Sequence, residues 1–131
     1  MKIKEAQSFC NSWLKSWTGN DANALIKFYA DGAFYRDPAN TEGLKGHVQI
    51  LHYFKKLLES NPNWKWEQVE IFPTDKGFLA KWKATIPVGS EVIVENGVDI
   101  VEIENGRISR NEVYFDRAKW LEALRKTRIS R

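Results

Sequence analysis

The most informative residue for chemistry is Asp99, because its carboxyl group lies in a mainly apolar stretch, Gly97-Val98-Asp99-Ile100-Val101. The stretch is typical of a β-strand, in which residues two apart share a face, so Asp99 shares its face with Val101 and Ile103. A carboxylate among apolar side chains is costly unless it is hydrogen-bonded or protonated. The other interpretation is a structural carboxylate satisfied by a neighbouring strand or by Arg110. The alternation of side chains along the strand favours neither the chemical nor the structural interpretation of Asp99.

A second carboxyl group, that of Asp37, stands at the end of a short predicted strand and directly before Pro38. Taken alone, this pattern favours an ordinary turn. His47 and His52 have no metal-ligating partner at a suitable spacing. The sequence also has no Gly-rich phosphate loop, nucleophile elbow or paired-histidine zinc motif. We therefore expect neither a metal nor a cofactor.

Helical spacing in the first half predicts the elements that would surround these carboxyl groups. Apolar residues recur from Ile3 to Trp17, and Gly19 stands where that helix would end. Asn20 or Asp21 can cap a second, short helix. The remaining predictions are Leu25, Phe28 and Tyr29 on that short helix, a strand over Ala33–Asp37, a polar loop over Ala39–Gly46, and a third helix from His47 to Asn61-Pro62.

The second half changes to the alternation that predicts strands. Trp64 and Trp66 alternate, and a change of parity predicts a bulge near Glu67-Gln68. Further strands are expected over 78–86, over 91–104 with a kink at Gly97, and over 108–115, followed by a short helix capped by Asp116. We expect one α+β domain over residues 1–131, in which three helices pack on a curved antiparallel sheet around a cone-shaped cavity.

Composition favours a cytoplasmic domain with a large apolar interior. Of the 131 residues 43% are hydrophobic and 13% aromatic, including six Trp. The single cysteine, Cys10, excludes an intrachain disulfide, and the sequence has no signal peptide or membrane-spanning stretch. Much of the net charge of +3 lies in the last turn and tail, where cations complement a helix dipole, so we expect no nucleic-acid partner. The cations concerned are Arg125, Lys126, Arg128 and Arg131.

An ordered set of short motifs over nearly the whole chain resembles the ketosteroid isomerase and SnoaL-like polyketide cyclase branch of the nuclear transport factor 2-like superfamily. The motifs are 28–33 (FYADGA), Arg36-Asp37-Pro38, Gly46 before the third helix, and 97–100 (GVDI) with the closing strand to Phe115. The resemblance implies a cone-shaped α+β barrel. It also implies that Asp37 is the base that moves a proton between carbons, and that Asp99 stays protonated and donates a hydrogen bond to the substrate oxygen.

Departures from that family argue against a steroid isomerase proper. The family's Tyr donor on the first helix falls on Trp13, and its supporting Tyr on the third helix falls on Phe54. A family position opposite Asp99 that is usually apolar falls on Asn111, or on Glu112 if the hairpin register differs by one residue. A SnoaL-like cyclase, or another acid–base enzyme acting on an enolisable compound, fits better.

The sequence therefore predicts a pocket enzyme that transfers protons on a small, largely apolar carbonyl substrate. Two alternatives remain, a non-catalytic ligand-binding or association module and, with less support, a hydrolase that activates water. Apolar residues such as Val98 and Ile100 on the outer face of the sheet predict a homodimer. Besides Asp37 and Asp99, the residues expected at the pocket are Trp13, Phe34, Phe54, Trp82, Val101, Asn111, Val113 and Phe115.

Overall fold

The computed structural model describes residues 1–129, which form four helices and six strands. Of Ile129 only the backbone is described. No helix in this range is both long and apolar enough to cross a membrane. The elements in chain order are α1 Ile3–Thr18, α2 Ala22–Ile26, β1 Tyr29–Asp37, β2 Asn40–Lys45, α3 His47–Ser60, β3 Lys65–Pro73, β4 Gly77–Val88, β5 Glu91–Glu104, β6 Arg107–Tyr114 and α4 Ala118–Ile129.

Helix boundaries carry the predicted signals at all four helices, and α3 begins at His47 and ends at Ser60, directly before Asn61, as expected. Gly19 ends α1, the Asp21 side chain accepts from the Ala24 N–H at the start of α2, and the Asp116 side chain accepts from the Ala118 N–H at the start of α4. Helix α2 stops at Ile26, so the placement of Phe28 and Tyr29 on it was wrong. The Phe28 carbonyl instead accepts from the Ile108 N–H, and pairing with β6 draws this segment into the sheet.

The predicted loop over Ala39–Gly46 was also wrong, because its residues 40–45 form strand β2, which pairs antiparallel with β1. No side chain of β2 is fully buried, so the strand lacks the apolar alternation by which sequence patterns are recognised. Backbone pairing at the edge of the sheet holds β2 instead. Strand β1 also begins at Tyr29, four residues before the predicted start.

The six strands form one curved, open sheet in the order β2-β1-β6-β5-β4-β3. All neighbours are antiparallel except β1 and β6, which run parallel. The predicted bulge in β3 is confirmed, since the register shifts between Gln68 and Glu70. Bulges of this kind bend a strand and increase its twist. The fold is the expected cone of helices on a curved sheet, with a short C-terminal helix.

Helices α1 and α3 cover the concave face of the sheet and enclose the core. Helix α1 presents a fully buried stripe that includes Ala6, Cys10 and Trp13. Side chains on the inner face of β5 and β6, among them Val101 and Val113, are buried against it. Helix α4 lies against β4 and β5 and completes one end of the enclosure.

Gly97 has a packing role in this core. The pairing of β4 with β5 is continuous from Gly77–Glu102 to Val88–Glu91, with Gly97 opposite Trp82. A Cβ atom at position 97 would lie 2.3 Å from Cζ2 of the Trp82 ring. Glycine is therefore required here because the indole of Trp82 lies directly against the backbone.

Candidate active site

A cavity of about 280 Å³ opens between the helices and the concave face of the sheet. Eight of its twenty lining residues are aromatic, and its charged residues are Asp37, Asp99 and Arg117. An apolar cavity with a few polar groups is the usual form of a small-molecule site. The aromatic residues of the wall are Trp17, Tyr35, Tyr53, Trp64, Trp66, Trp82, Phe115 and Trp120.

Several ring pairs of the aromatic wall pack edge to face. The ring centroids of Trp66 and Trp82 lie 4.6 Å apart, and those of Trp64 and Trp66 lie 5.1 Å apart, both in T-shaped arrangements. Phe115 packs against Trp82 in the same way, at 5.4 Å. Such pairs favour defined ring orientations, so they make the wall a shaped surface for a flat ligand.

Asp99 lies on the wall with its carboxyl group almost fully withdrawn from solvent, at 4% exposure. Trp82 Nε1–H donates to Asp99 Oδ1 at 2.8 Å, and Asn111 Nδ2 donates to Oδ2 at 3.1 Å. Burial raises the pKa of Asp99 to about 7, and the charge of Asp37 acts in the same direction, while the two hydrogen bonds oppose the shift. Asp99 therefore changes protonation state close to neutral pH.

The structural interpretation of Asp99 allowed either a neighbouring strand or Arg110 as its partner, and the structure shows donors on the neighbouring strands β4 and β6 and not Arg110. The Arg110 guanidinium pairs with Glu112 and, at 3.3 Å, with Glu102. Both glutamates project from the outer face of the sheet, as Arg110 does. The hydrogen bonds to Asp99 come instead from the neutral donors Trp82 and Asn111.

Asn111 belongs to a line of buried hydrogen bonds that ends on Asp99. Trp13 Nε1–H donates to the Tyr29 hydroxyl at 3.2 Å, and that hydroxyl donates to Asn111 Oδ1 at 2.7 Å. Trp13, Tyr29 and Asn111 are each fully buried. The register places Asn111, not Glu112, on the inner face, which decides between the two residues left open by the sequence.

Asp37 is held differently, by five hydrogen-bond donors. Its Oδ2 accepts from the hydroxyls of Tyr35 at 2.8 Å and Tyr53 at 2.5 Å. Its Oδ1 accepts from the backbone N–H groups of Ala39 and Asn40, both at 2.9 Å, and from Asn40 Nδ2 at 3.0 Å. A carboxylate has about four lone-pair positions, so these donors fully occupy Asp37.

The structure places five of the ten predicted pocket residues on the cavity wall, namely Asp37, Trp82, Asp99, Val113 and Phe115. The other five lie elsewhere. Trp13 and Asn111 lie behind Asp99, and Val101 is buried opposite Phe78 and Asn111. Phe54 is buried against the rings of Trp17, Tyr29 and Tyr35.

Phe34 is absent from the wall because it lies on the other face of β1. Tyr35 and Asp37 share the buried face, whereas Phe34 is half-buried beside Gly43 on the opposite face. Strand parity from Asp37 indicates Tyr35, a residue that the sequence analysis did not select. Trp64, Trp66 and the α4 residues of the wall give no comparable signal, since only the tertiary packing brings them to Asp99. Within residues 1–129, no group of three His, Cys, Asp or Glu side chains is arranged to hold a metal ion.

Comparison with known proteins agrees with this fold. Residues 11–111 match the model of the SnoaL-like domain. The phenazine biosynthesis proteins PhzA1 and PhzA2 of Pseudomonas aeruginosa are each 31% identical to the chain in an alignment of 87 positions that covers 61% of this chain. The match covers 54% of each relative, so the chain spans about half the length of the curated relatives it matches.

Solved structures at low sequence identity share the fold. TerC, co-crystallised with polyporic acid, superposes with a TM-score of 0.78 at 10% identity, over 92% of this chain and 98% of TerC. SalBIII, an epoxide hydrolase/cyclase-like enzyme in pyran ring formation in the polyether salinomycin, gives 0.74 at 14% identity, over 86% of this chain and 92% of SalBIII. With the family model matched over most of its length, the chain belongs to the SnoaL-like domain family of the nuclear transport factor 2-like superfamily.

Proposed function

We propose that the cavity catalyses proton transfer on a small, flat, largely apolar carbonyl compound, with Asp99 as the group that takes and returns the proton. The observation that carries this proposal is a buried carboxyl group on the cavity wall whose pKa is raised to about 7. A general acid–base group works best when its pKa is near the working pH.

The hydrogen bonds support Asp99, and not Asp37, as the base. Each oxygen of Asp99 accepts one hydrogen bond, which leaves two lone-pair positions for a proton or a substrate C–H. Asp37 can accept a proton only by giving up one of its five donors. The family resemblance assigned the base to Asp37, and the saturation of this carboxylate is our reason for exchanging the roles.

The proposed reaction begins with the ionised Asp99. Its carboxylate takes a proton from the carbon next to the substrate carbonyl, and the electron pair of the broken C–H bond forms an enolate. When a C=C double bond of the substrate is conjugated with the enolate, Asp99 then returns the proton to the far carbon of that system, which is an isomerisation. When the enolate carbon instead attacks a second carbonyl, Asp99 returns the proton to the product oxygen, which is a cyclisation. Only protons move between protein and substrate, so the step needs no oxidant or reductant.

The shape of the wall and the relatives support a ring-containing substrate. T-shaped indole and phenyl pairs line a space of about 280 Å³, which suits a molecule of one to three fused rings. The relatives are named for phenazine biosynthesis, and two structural neighbours are a protein crystallised with polyporic acid and a cyclase-like enzyme. These names favour small-molecule metabolism.

Exchange of hydrogen for deuterium tests the proposal without knowledge of the natural substrate. A panel of cyclic aryl ketones and β-diketones, with polyporic acid as a binding probe, is first screened by thermal shift. Ketones that bind are then incubated with the protein in D₂O, and the loss of the proton next to the carbonyl is followed by proton NMR. We expect exchange faster than in buffer by about 100-fold or more for at least one ketone.

Three variants make the test specific. Asp99→Asn should remove the exchange, while Asp75→Asn, an exposed loop position, should leave it unchanged. Asp37→Asn should lower the stability, because an amide nitrogen then faces a donor, and should reduce exchange less than Asp99→Asn does. Loss of exchange in Asp37→Asn with full exchange in Asp99→Asn would restore the roles implied by the family.

The competing proposal is a binding module without chemistry, which the fully occupied Asp37 and the lack of the family's Tyr donors favour. It predicts that ketones raise the melting temperature but that no bound ketone exchanges its protons above the buffer rate. That result across the panel would overturn the catalytic proposal.

A further inference from the structure

The hydrogen bonds from Trp13 to Asp99 run in one direction. An indole N–H can only donate, so the Tyr29 hydroxyl accepts from Trp13 and uses its own proton towards Asn111 Oδ1. The amide nitrogen of Asn111 must then point the other way, towards Asp99 Oδ2 at 3.1 Å. The Ile100 carbonyl, 3.3 Å from the same nitrogen, requires the same orientation.

Because these residues are buried, the flipped orientation of the Asn111 amide is unfavourable. All three donor residues are fully buried, and an unpaired polar group in such surroundings destabilises the fold. A flipped Asn111 amide would place its oxygen against the Asp99 carboxylate and the Ile100 carbonyl. The line of donors therefore ends in an N–H that is held on Asp99 and favours its ionised form.

We propose that Tyr29 is a positioning residue that acts through Asn111 to set how readily Asp99 takes up a proton. The inference rests on the proposed role of Asp99 for its catalytic meaning, but its primary readout is the titration of one carboxyl group. Neither Tyr29 nor Asn111 lines the cavity, so neither is expected to touch the substrate.

The other groups around Asp99 stay the same when Tyr29 or Asn111 is changed. Helix α1 contributes the Cys10 thiol, whose pKa burial raises to about 12, so it is neutral throughout the range tested. Strand β1 contributes Asp37, whose charge already acts on Asp99. The remaining titratable groups at the cavity are Tyr35, Tyr53 and Arg117.

Carbon-13 NMR of aspartate-labelled protein measures the Asp99 titration directly. Tyr29→Phe should move the midpoint upward by about half a pH unit or more, because Asn111 loses a partner of its oxygen and holds its N–H less firmly on Asp99. Asn111→Leu should move it further in the same direction. The double variant should match Asn111→Leu alone, because Tyr29 acts only through Asn111.

Site-specific fluorotyrosine at position 29 keeps the packing and should shift the Asp99 midpoint in the direction opposite to Tyr29→Phe. Fluorination makes the phenol a stronger donor to Asn111, so the Asp99 midpoint should move downward. This measurement also serves if Tyr29→Phe does not fold. Tyr114→Phe is the matched control, because the Tyr114 hydroxyl contacts Glu112 and Arg36 on the outer face, and it should leave the midpoint unchanged.

Two results would overturn the inference. One is a lower melting temperature of Tyr29→Phe with no movement of the Asp99 midpoint and no effect of fluorotyrosine, which is what a purely structural hydroxyl gives. The other is a double variant whose shift is the sum of the two single shifts. If the midpoints move as expected but no ketone exchanges, the proposed catalysis fails and the positioning role of Tyr29 stands.

Discussion

Two carboxyl groups on one cavity wall are held by opposite kinds of surroundings. Asp37 receives five donors at the turn between β1 and β2, whereas Asp99 receives two and lies deep in the apolar face of β5. The five donors leave Asp37 no free lone-pair position, whereas burial with only two donors raises the pKa of Asp99. Residue type is the same at both positions, so the difference between them comes entirely from the neighbours.

Asp99 should leave a signature in the pH dependence of stability. Its pKa is about 7 in the folded chain and near the ordinary value of 3.8 when unfolded. A raised folded pKa stabilises the fold fully at low pH, and this contribution is lost as pH rises from about 4 to 7, by up to about 1.4 kcal/mol per pH unit. Above pH 7 the cost of the buried charge is constant.

Asp99→Asn should therefore flatten the curve of unfolding free energy against pH between 4 and 7. At pH 5 the variant is expected to be less stable than the native chain, because its amide oxygen can accept from only one of the two donors and its amide nitrogen, which cannot accept, then faces the other. By pH 8 it should equal or exceed the native chain. Urea unfolding at five pH values measures this, with Asp75→Asn as the control. Parallel curves for Asp99→Asn and the native chain would show that Asp99 is ionised throughout.

At the residue scale, the sequence indicated both aspartates, and the family resemblance implied a basic Asp37 and a protonated Asp99, but not the neighbours that hold either carboxyl group. Period-two alternation was enough to place Asp99 among apolar side chains. Tyr53, which donates to Asp37, lies on α3, and Trp66, which lines the cavity, lies on β3. Neither residue stands in a local sequence pattern that relates it to a carboxyl group on another element. Only the packing of helices on the sheet brings those side chains together.

At the element scale, the sheet depends on a close approach between β4 and β5. The Trp82 ring lies against the backbone of Gly97, and this position allows its indole N–H to reach Asp99. The sequence predicted a kink at Gly97, because glycine in a strand often marks one. The tryptophan that requires the glycine lies on another strand, so sequence alone did not reveal it.

Gly97→Ala should move Trp82 away from Asp99. The added Cβ would lie 2.3 Å from Cζ2 and 2.6 Å from Cη2 of Trp82, and 2.9 Å from Cβ of Phe115. Overpacking of this kind costs about 1–3 kcal/mol, which urea unfolding detects. The Trp82 indole N–H resonance should also shift as its hydrogen bond to Asp99 is lost.

Gly32→Ala is the matched control, since nothing lies within 4 Å of a Cβ atom at that strand position. It should be neutral or slightly stabilising. A Gly97→Ala variant as stable as Gly32→Ala would contradict the close contact between the Trp82 ring and the backbone of Gly97.

Elements with strong periodicity were predicted well, and elements without it were missed. Helix α1 and strands β4 and β5 carry clear 3.6- or two-residue patterns. Strand β2 is polar and half-exposed, and its existence depends on pairing with β1. The parallel pairing of β1 with β6 joins residues about 75 positions apart, a kind of contact that local patterns do not report.

At the scale of the whole molecule, the outer face of the sheet retains apolar side chains. Phe72, Val94, Val98 and Tyr114 are exposed there, with Val98 at 37%. A second copy placed sheet to sheet would cover them, and we predict a two-fold dimer at micromolar concentration. Light scattering tests this prediction.

Val98→Glu should shift the dimer towards monomer by placing a charge in the middle of that face. Val48→Glu is the control, because Val48 is 86% exposed on α3 and lies away from the sheet. A native chain that scatters as a monomer, or a Val48→Glu variant that dissociates equally, would contradict a dimer formed through the sheet.

The tryptophan wall also has an optical consequence. Five of the six tryptophans border the cavity, and neighbouring indole centroids lie between 4.6 and 6.3 Å apart. At such distances an excitation absorbed by one ring is shared with the others, so the cluster emits as a unit. Any event at Trp82, whether a ligand in contact or a proton leaving Asp99, therefore changes the fluorescence of the whole cluster. Tryptophan fluorescence can thus follow both ligand binding in the cavity and the charge of Asp99 without an added label.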